Sequence, residues 1–319
     1  MPSTPPRSER TSAAAQSSVS DTPYKAKHAT SAPVIYADGL DEGRDAVVAD
    51  VGSVVPQVTI QWFMDNIMPR LRPDLDISAV VQKLKDNKTI VSGTWADFPT
   101  APADCLEHED DVFDSLETVA AAIRNAATAV CSRKLKPAVV FKCRPRDMPV
   151  SKRRENTSRP DGYGLYVKHR SNHGNRKRVF WETIVSPWEV KKRERVEDIN
   201  DVSTDMTLIH SSTSHTSKNI AKILWSFHHI MREDPSRRFV VGFTIENRSM
   251  RLWFGSRTDA LVTDPFDFTR VSDAPCSPFV VACSRGRAIT GPCDLGPFLP
   301  IVDVRRSPRA WLRPHHTTR

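Results

Sequence analysis

Two carboxylates and a lysine have the types and spacing that metal-dependent phosphodiester chemistry requires. Asp161 follows Pro160 at the start of one predicted strand, and Glu189 and Lys191 end the next apolar segment. Two carboxylates from adjacent strands can converge on one divalent cation. Residues two apart in a strand share a face, so Lys191 is expected beside Glu189, where it would orient or deprotonate an attacking water. The pattern therefore predicts metal ligands at Asp161 and Glu189 and a catalytic lysine at Lys191.

A third carboxylate from the preceding helix often completes a site of this kind, and Glu109 or Glu117 would supply it. The competing interpretation is a charged strand end, residues 189–193, whose side chains simply face water. Pro187 and the bulky Trp188 favour that interpretation, because proline rarely occupies a central strand. No cofactor is expected unless the site is a nuclease, in which case Mg²⁺ is expected.

Apolar periodicity predicts the elements that must position these residues. Helices are predicted over 58–71, with the end near Pro69, and over 77–84, 110–131 and 216–232. Strands are predicted over 137–143, 162–168 and 178–185, and residues 188–191 are a candidate extension of the last strand past Pro187. A hairpin is predicted over 239–254 with its turn at residues 246–249, since apolar residues alternate on both sides of that turn. This order predicts an α/β fold, a mixed sheet flanked by helices.

Composition divides the 319 residues into a body and two tails. Residues 1–32 are mainly Ser, Thr, Pro and Ala, which predicts a disordered N-terminal tail. Residues 272–319 are rich in Pro and Arg and predict a low-order C-terminal tail. Residues 33–271 are long enough to bury one substantial core and are predicted to form one α/β domain.

The formal net charge of +8 raises the question of an acidic partner. Basic clusters around Lys177, Arg178, Lys192 and Arg193 are candidate nucleic-acid contacts. The alternative is that these charges form solvated faces, which is the commoner role of a charge run.

Six cysteines occur, and none forms a Cys-x-x-Cys pair, which predicts free thiols in a reducing compartment. No apolar run reaches the roughly 20 residues that span a membrane, and no signal peptide is recognisable. The sequence therefore predicts a protein of the cytoplasm or nucleus that is not secreted and has no membrane partner.

The segment RFVVGFTIENRSMRLWFGSR, residues 238–257, closely resembles a segment of the fungal-type protein kinases. The resemblance continues upstream through residues 218–235 and downstream through residues 264–268. In that family a region of this kind precedes the kinase lobe. The resemblance implies a fungal-type protein kinase N-terminal domain over residues 33–271.

The motifs of a kinase active site are not in this sequence. Phosphotransfer uses a Gly-rich loop, a His-Arg-Asp catalytic loop and an Asp-Phe-Gly metal site. The sequence has no Gly-x-Gly-x-x-Gly and no His-Arg-Asp, and its Asp267-Phe268-Thr269 has Thr where Gly is needed. The expectation is a chain truncated before the catalytic lobe, acting on an unknown protein partner as a regulatory or interaction module without phosphotransfer activity.

Pro160-Asp161 and Glu189-Val190-Lys191 also resemble the Pro-Asp…Glu-x-Lys pattern of restriction-endonuclease-like proteins. That resemblance implies a restriction-endonuclease-like core. It also implies a second function, either a Mg-dependent nuclease or a degenerate domain that binds nucleic acid without cleaving it.

Overall fold

A computed structural model describes residues 40–51, 55–68, 73–131, 139–144, 146–151, 158–166, 178–192 and 215–271. The predicted tails, 1–32 and 272–319, lie outside these residues. The chain divides into two compact units, Met1–Gly43 and Arg44–Arg319. Only residues 40–43 of the first unit are described, and they are helical.

Five helices and ten strands are interspersed along the described residues, as in a mixed α/β protein. The helices are α1 (Leu40–Val51), α2 (Ile60–Asn66), α3 (Ile77–Asp86), α4 (Glu109–Val130) and α5 (His215–Glu233). The strands are β1 (Gln57–Val58), β2 (Ile90–Val91), β3 (Thr94–Trp95), β4 (Val139–Cys143), β5 (Gly162–Tyr166), β6 (Ile184–Lys191), β7 (Phe239–Glu246), β8 (Ser249–Ser256), β9 (Ala260–Thr263) and β10 (Phe266–Asp267).

One mixed sheet organises the fold. Its eight strands in the described residues run in the order β1-β9-β8-β7-β6-β5-β4, with β10 paired to β8. Strands β4, β5 and β6 are antiparallel neighbours. Strand β6 pairs in parallel with β7, and α5 lies between these two strands in the sequence. The predicted mixed sheet flanked by helices is confirmed.

Alternation along the strands builds a core on each face of the sheet. Val241 and Phe243 of β7 belong to the cluster that includes Phe113 of α4. Val240 and Trp253 belong to the second cluster, to which α5 contributes its apolar stripe. The hairpin and the long helix therefore form much of the core, as their patterns predict.

Phe227 of α5 lies in a groove that two glycines leave open on β7 and β8. A methyl group on Gly242 would lie 2.5 Å from the carbonyl oxygen of Pro187 and 2.9 Å from the Phe227 ring. The same ring covers Gly255 on the neighbouring strand. These glycines are therefore required by the close approach of helix and sheet.

The strand predicted over 178–185 is confirmed only at its last two residues, whereas its predicted extension over 188–191 past Pro187 is confirmed. Residues Trp181–Thr183 form a 3₁₀ turn, and β6 begins only at Ile184. The strand continues through Pro187, which lies opposite Tyr163 of β5 and just before the parallel ladder with β7, which starts at Trp188 and Phe243. The first predicted helix is also shorter than residues 58–71, because β1 includes Val58 and α2 is only Ile60–Asn66.

No helix in the part of the chain that the structure describes is long and apolar enough to cross a bilayer.

Candidate functional site

The side chains of Asp161 and Glu189 converge at one place, on the ammonium group of Lys222. The Nζ atom of Lys222 lies 2.9 Å from Oε2 of Glu189 and 3.6 Å from Oδ1 of Asp161. Glu189 is 1% exposed, whereas the Asp161 and Lys222 side chains are 18% and 23% exposed. The site is therefore closed around Glu189 and reaches solvent on the Asp161 and Lys222 side.

Three elements bring these groups together. Glu189 points to the α5 face of β6, because its neighbours Trp188 and Val190 belong to the cluster on the α4 face. Asp161 immediately precedes β5, and its Oδ2 accepts a hydrogen bond from the Val190 N–H at 2.9 Å. Lys222 reaches both carboxylates from α5, which packs across this face of β6.

Gly162 explains how the bulky Trp188 fits beside this site. The two residues are paired across β5 and β6, and a methyl group on Gly162 would collide with the Trp188 indole. Because the glycine has no side chain, the ring lies across it and stacks on Phe243 at 5.0 Å. The Trp188 ring therefore packs on the face of the sheet opposite Glu189 and does not obstruct the site.

The electrostatics of the site reflect the burial of Glu189. Burial, and then the nearby Asp161 carboxylate, raise the pKa of Glu189 well above its usual value. Burial alone would lower the pKa of Lys222, but the Glu189 and Asp161 carboxylates outweigh it and raise that pKa. Oε1 of Glu189 has no hydrogen-bond partner among the described residues. The site therefore favours a positive charge at the Lys222 position.

Lys191, the predicted catalytic lysine, pairs elsewhere. Its Nζ donates a hydrogen bond to Oε1 of Glu109 at 2.6 Å, at the first turn of α4. The other Glu109 oxygen accepts the Lys192 backbone N–H at 2.7 Å. Glu109, a predicted metal ligand, thus has both oxygens occupied by the end of β6.

These residues do not fit a divalent cation as they stand. Mg²⁺ takes near-octahedral oxygen ligands at about 2.0–2.1 Å. The Lys222 ammonium already occupies the space between Asp161 and Glu189, and Glu109 is committed to Lys191 and the Lys192 backbone. A metal ion bound to the same carboxylate oxygens would be repelled by the ammonium.

The predicted nucleic-acid contacts are only partly described. Arg178 is exposed, and Lys192 is half-buried. The Lys192 ammonium donates hydrogen bonds to the backbone carbonyl oxygens of Cys105 and Glu107, so it holds the loop before α4 against the end of β6. Lys177 and Arg193 lie outside the described residues.

Lys222 belongs to a polar stripe on α5 that the sequence analysis did not single out. Asn219, Ser226 and His229 are at most 1% exposed and repeat at helical spacing with Lys222. Polar residues that recur every three or four positions along the inner side of an apolar helix are the signal that could have found it. His229 packs between Trp181 and Trp225, with ring centroids 5.0 Å and 4.6 Å away, and burial lowers its pKa.

A second group of possible metal ligands, Asp114, Glu117 and Cys143, lies between α4 and β4. The Cys143 thiol donates to the Phe113 carbonyl at 3.3 Å, and burial raises its pKa to about 12. Glu117 accepts from the Cys143 N–H at 2.7 Å and pairs with Lys142. These hydrogen bonds account for Cys143, with its thiol protonated, and for Glu117.

The Asp267-Phe268-Thr269 triplet forms a turn. Oδ1 of Asp267 accepts the Thr269 N–H at 2.9 Å and the Thr269 hydroxyl at 2.6 Å. Phe268 is 1% exposed, and its carbonyl accepts the Trp95 indole N–H at 2.8 Å. The Asp267 side chain therefore stabilises the turn at the end of β10, and the buried Phe268 ring packs in the core.

Residues 184–280 match the family model described as fungal protein kinase. The matched segment contains β6, α5, the β7–β8 hairpin and the Asp267 turn. The family resemblance seen in the sequence is confirmed over this segment. No curated protein and no solved structure was found to match the chain.

Proposed function

We propose, from the match of residues 184–280 to the fungal protein kinase model, that residues 33–271 form a regulatory or interaction module that transfers no phosphoryl group. One observation carries this proposal: the Asp-Phe-Thr triplet of the matched segment is a hydrogen-bonded turn with a buried phenylalanine. In a kinase the aspartate of an Asp-Phe-Gly triplet holds Mg²⁺ against the ATP phosphates, whereas here the aspartate of the similar triplet is used by its own turn.

The surroundings of the triplet support the same conclusion. The carboxylate that would have to leave its turn to bind a metal also lies 3.5 Å from the Arg270 guanidinium. Freeing it would break the bonds that close the chain after β10. Many residues of the matched segment thus pack in the two core clusters on the faces of the sheet. Its partner is proposed to be another protein, in the cytoplasm or nucleus.

A labelling experiment tests this proposal. We expect the full chain, incubated with Mg²⁺ and γ-labelled ATP, to incorporate no more label into itself or a generic substrate than heat-denatured protein does. The reason is that no group of this sequence matches the motifs that hold Mg-ATP or accept the hydroxyl proton. Asp267→Asn is the matched control, because it keeps a side-chain oxygen for the turn. Label that persists on repurification and falls in Asp267→Asn would overturn the proposal.

A second candidate function is the nuclease-like one. The convergence of Asp161 and Glu189 favours it, because those carboxylates were expected to meet at the ends of neighbouring strands. The order α4, β4–β6, α5, β7, in which three antiparallel strands precede a parallel one, also supports a restriction-endonuclease-like core. Of its two forms, Lys222 favours the degenerate domain that binds nucleic acid without cleaving it over the Mg-dependent nuclease with Lys191 as its catalytic lysine.

Binding and cleavage assays test the second candidate together. We expect salt-sensitive binding of DNA or RNA that weakens in Arg178→Ala and not in Lys83→Ala, an exposed lysine on α3. We expect no nicking of supercoiled DNA with Mg²⁺. Nicking that is lost in both Asp161→Ala and Lys191→Ala would establish the Mg-dependent form instead. Equal binding by Arg178→Ala and Lys83→Ala would contradict the prediction that the basic cluster around Arg178 contacts nucleic acid.

A further inference from the structure

The buried carboxylate of Glu189 is balanced by a lysine that comes from a helix, outside the Glu-x-Lys strand. The ammonium of Lys222 lies within 2.9 Å of Glu189 and 3.6 Å of Asp161. The strand lysine, Lys191, is held 2.6 Å from Glu109. Two ammonium groups and three carboxylates are thus sorted into two separate ion-paired groups.

A group of carboxylates alone does not make a site, and here a second observation points to a cation. Glu189 is 1% exposed, and its Oε1 has no hydrogen-bond partner within the described residues. An ionised carboxylate buried without full compensation is costly, so the place beside it favours a positive charge. Asp161 is fixed by the Val190 N–H with its other oxygen directed at the same ammonium.

We infer that Lys222 serves as the resident cation of the Asp161–Glu189 pair, that it excludes divalent metal ions there, and that removing its ammonium uncovers a divalent-cation site. The ligand class of the uncovered site is a hard cation that prefers carboxylate oxygens, such as Mn²⁺ or Mg²⁺. The inference goes beyond both proposed functions, because it concerns only which cation the two carboxylates hold.

Metal binding to the full chain tests the inference directly, with Mn²⁺ as the probe and electron paramagnetic resonance or calorimetry as the readout. We expect wild type to show no Mn²⁺ site that depends on Asp161. We expect Lys222→Met to gain such a site, and the double variant with Asp161→Asn to lose it. Lys191→Met is the matched control, because it removes a neighbouring ammonium without freeing Asp161 or Glu189, and it should gain no site at this pair.

Two results overturn the inference. One is Asp161-dependent Mn²⁺ binding by wild type, and the other is a folded Lys222→Met that gains no site. If Lys222→Met does not fold alone, refolding it in Mn²⁺ decides the question. Recovery that requires Asp161 supports the inference, and failure to recover contradicts it. The phosphotransfer assay is unaffected by either result, so this test and that of the first proposed function fail separately.

Discussion

Replacing Leu224 with alanine is expected to lower the free energy of unfolding by about 2–5 kcal/mol, as is usual for a leucine removed from a packed core. Leu224 is 3% exposed and lies on the apolar stripe of α5, in the cluster that also contains Trp253 and Val240. Its removal leaves a cavity between helix and sheet. Since domains of this size are stable by about 5–15 kcal/mol in total, such a loss should also reduce soluble yield.

The chain supplies a matched control for this substitution. Leu106 is 99% exposed in the loop before α4, and the same leucine-to-alanine change there should alter stability by no more than about 0.5 kcal/mol. Urea unfolding of both variants, followed by tryptophan fluorescence, gives the comparison. Similar midpoints for the two variants would mean that α5 does not pack on the sheet as described.

Replacing Lys222 with methionine is expected to cost about 3 kcal/mol at neutral pH, the lower end of the range for breaking a buried ion pair. The lower end applies because Lys222 and Asp161 retain some exposure. The loss arises because, without Lys222, Glu189 must either stay buried as an uncompensated charge or take up a proton at neutral pH. The measurement is the free energy of unfolding of wild type and Lys222→Met between pH 4 and pH 8.

The pH dependence of this loss follows from the pKa of Glu189, which is raised in the folded state. A raised pKa means that the folded state is favoured below the unfolded value, about 4.3, and loses that advantage as pH rises through the folded pKa. Without Lys222 the Glu189 pKa rises further. The cost of Lys222→Met should therefore be largest at neutral and alkaline pH and shrink on acidification.

A Glu189→Gln background isolates the pair. Glutamine carries no charge, so removing Lys222 there should cost less than in wild type, and the difference measures the coupling of the two residues. An equal cost in both backgrounds, or a cost that grows on acidification, would show that Lys222 stabilises the fold by packing and not as a counter-ion.

Local patterns predicted the elements whose stabilising contacts are close in sequence. The hairpin turn falls at residues 246–249 as predicted, where Asn247 takes the positive φ of 54° that such a turn requires. Helix α4 is amphipathic, and its acidic first turn marks its start. The apolar residues within 178–185 predicted a strand along the whole segment. The chain instead forms a 3₁₀ turn at Trp181–Thr183, where the Trp181 ring stacks on His229 of α5.

The candidate site could be predicted only in part, because its pairings are long-range. The positions of Asp161 and Glu189 at the ends of predicted neighbouring strands predicted that the two carboxylates meet, and the strand order brings them together. Which lysine meets them depends on how α5 lies across β6, and no local pattern contains that information. Lys191 shares the strand with Glu189 but lies at its last position, where its long side chain reaches the first turn of α4.

The glycines under Phe227 have a consequence for the axial position of α5. A helix advances by about 1.5 Å per residue, so a slip of one residue would move the Phe227 ring off the gap at Gly242 and Gly255. Lys222 lies five residues before Phe227 on the same rigid rod. The packing of the Phe227 ring therefore limits where along β6 the Lys222 ammonium can meet Glu189. Two glycines on the β7–β8 hairpin thus help to set where a charge on helix α5 meets a carboxylate on strand β6.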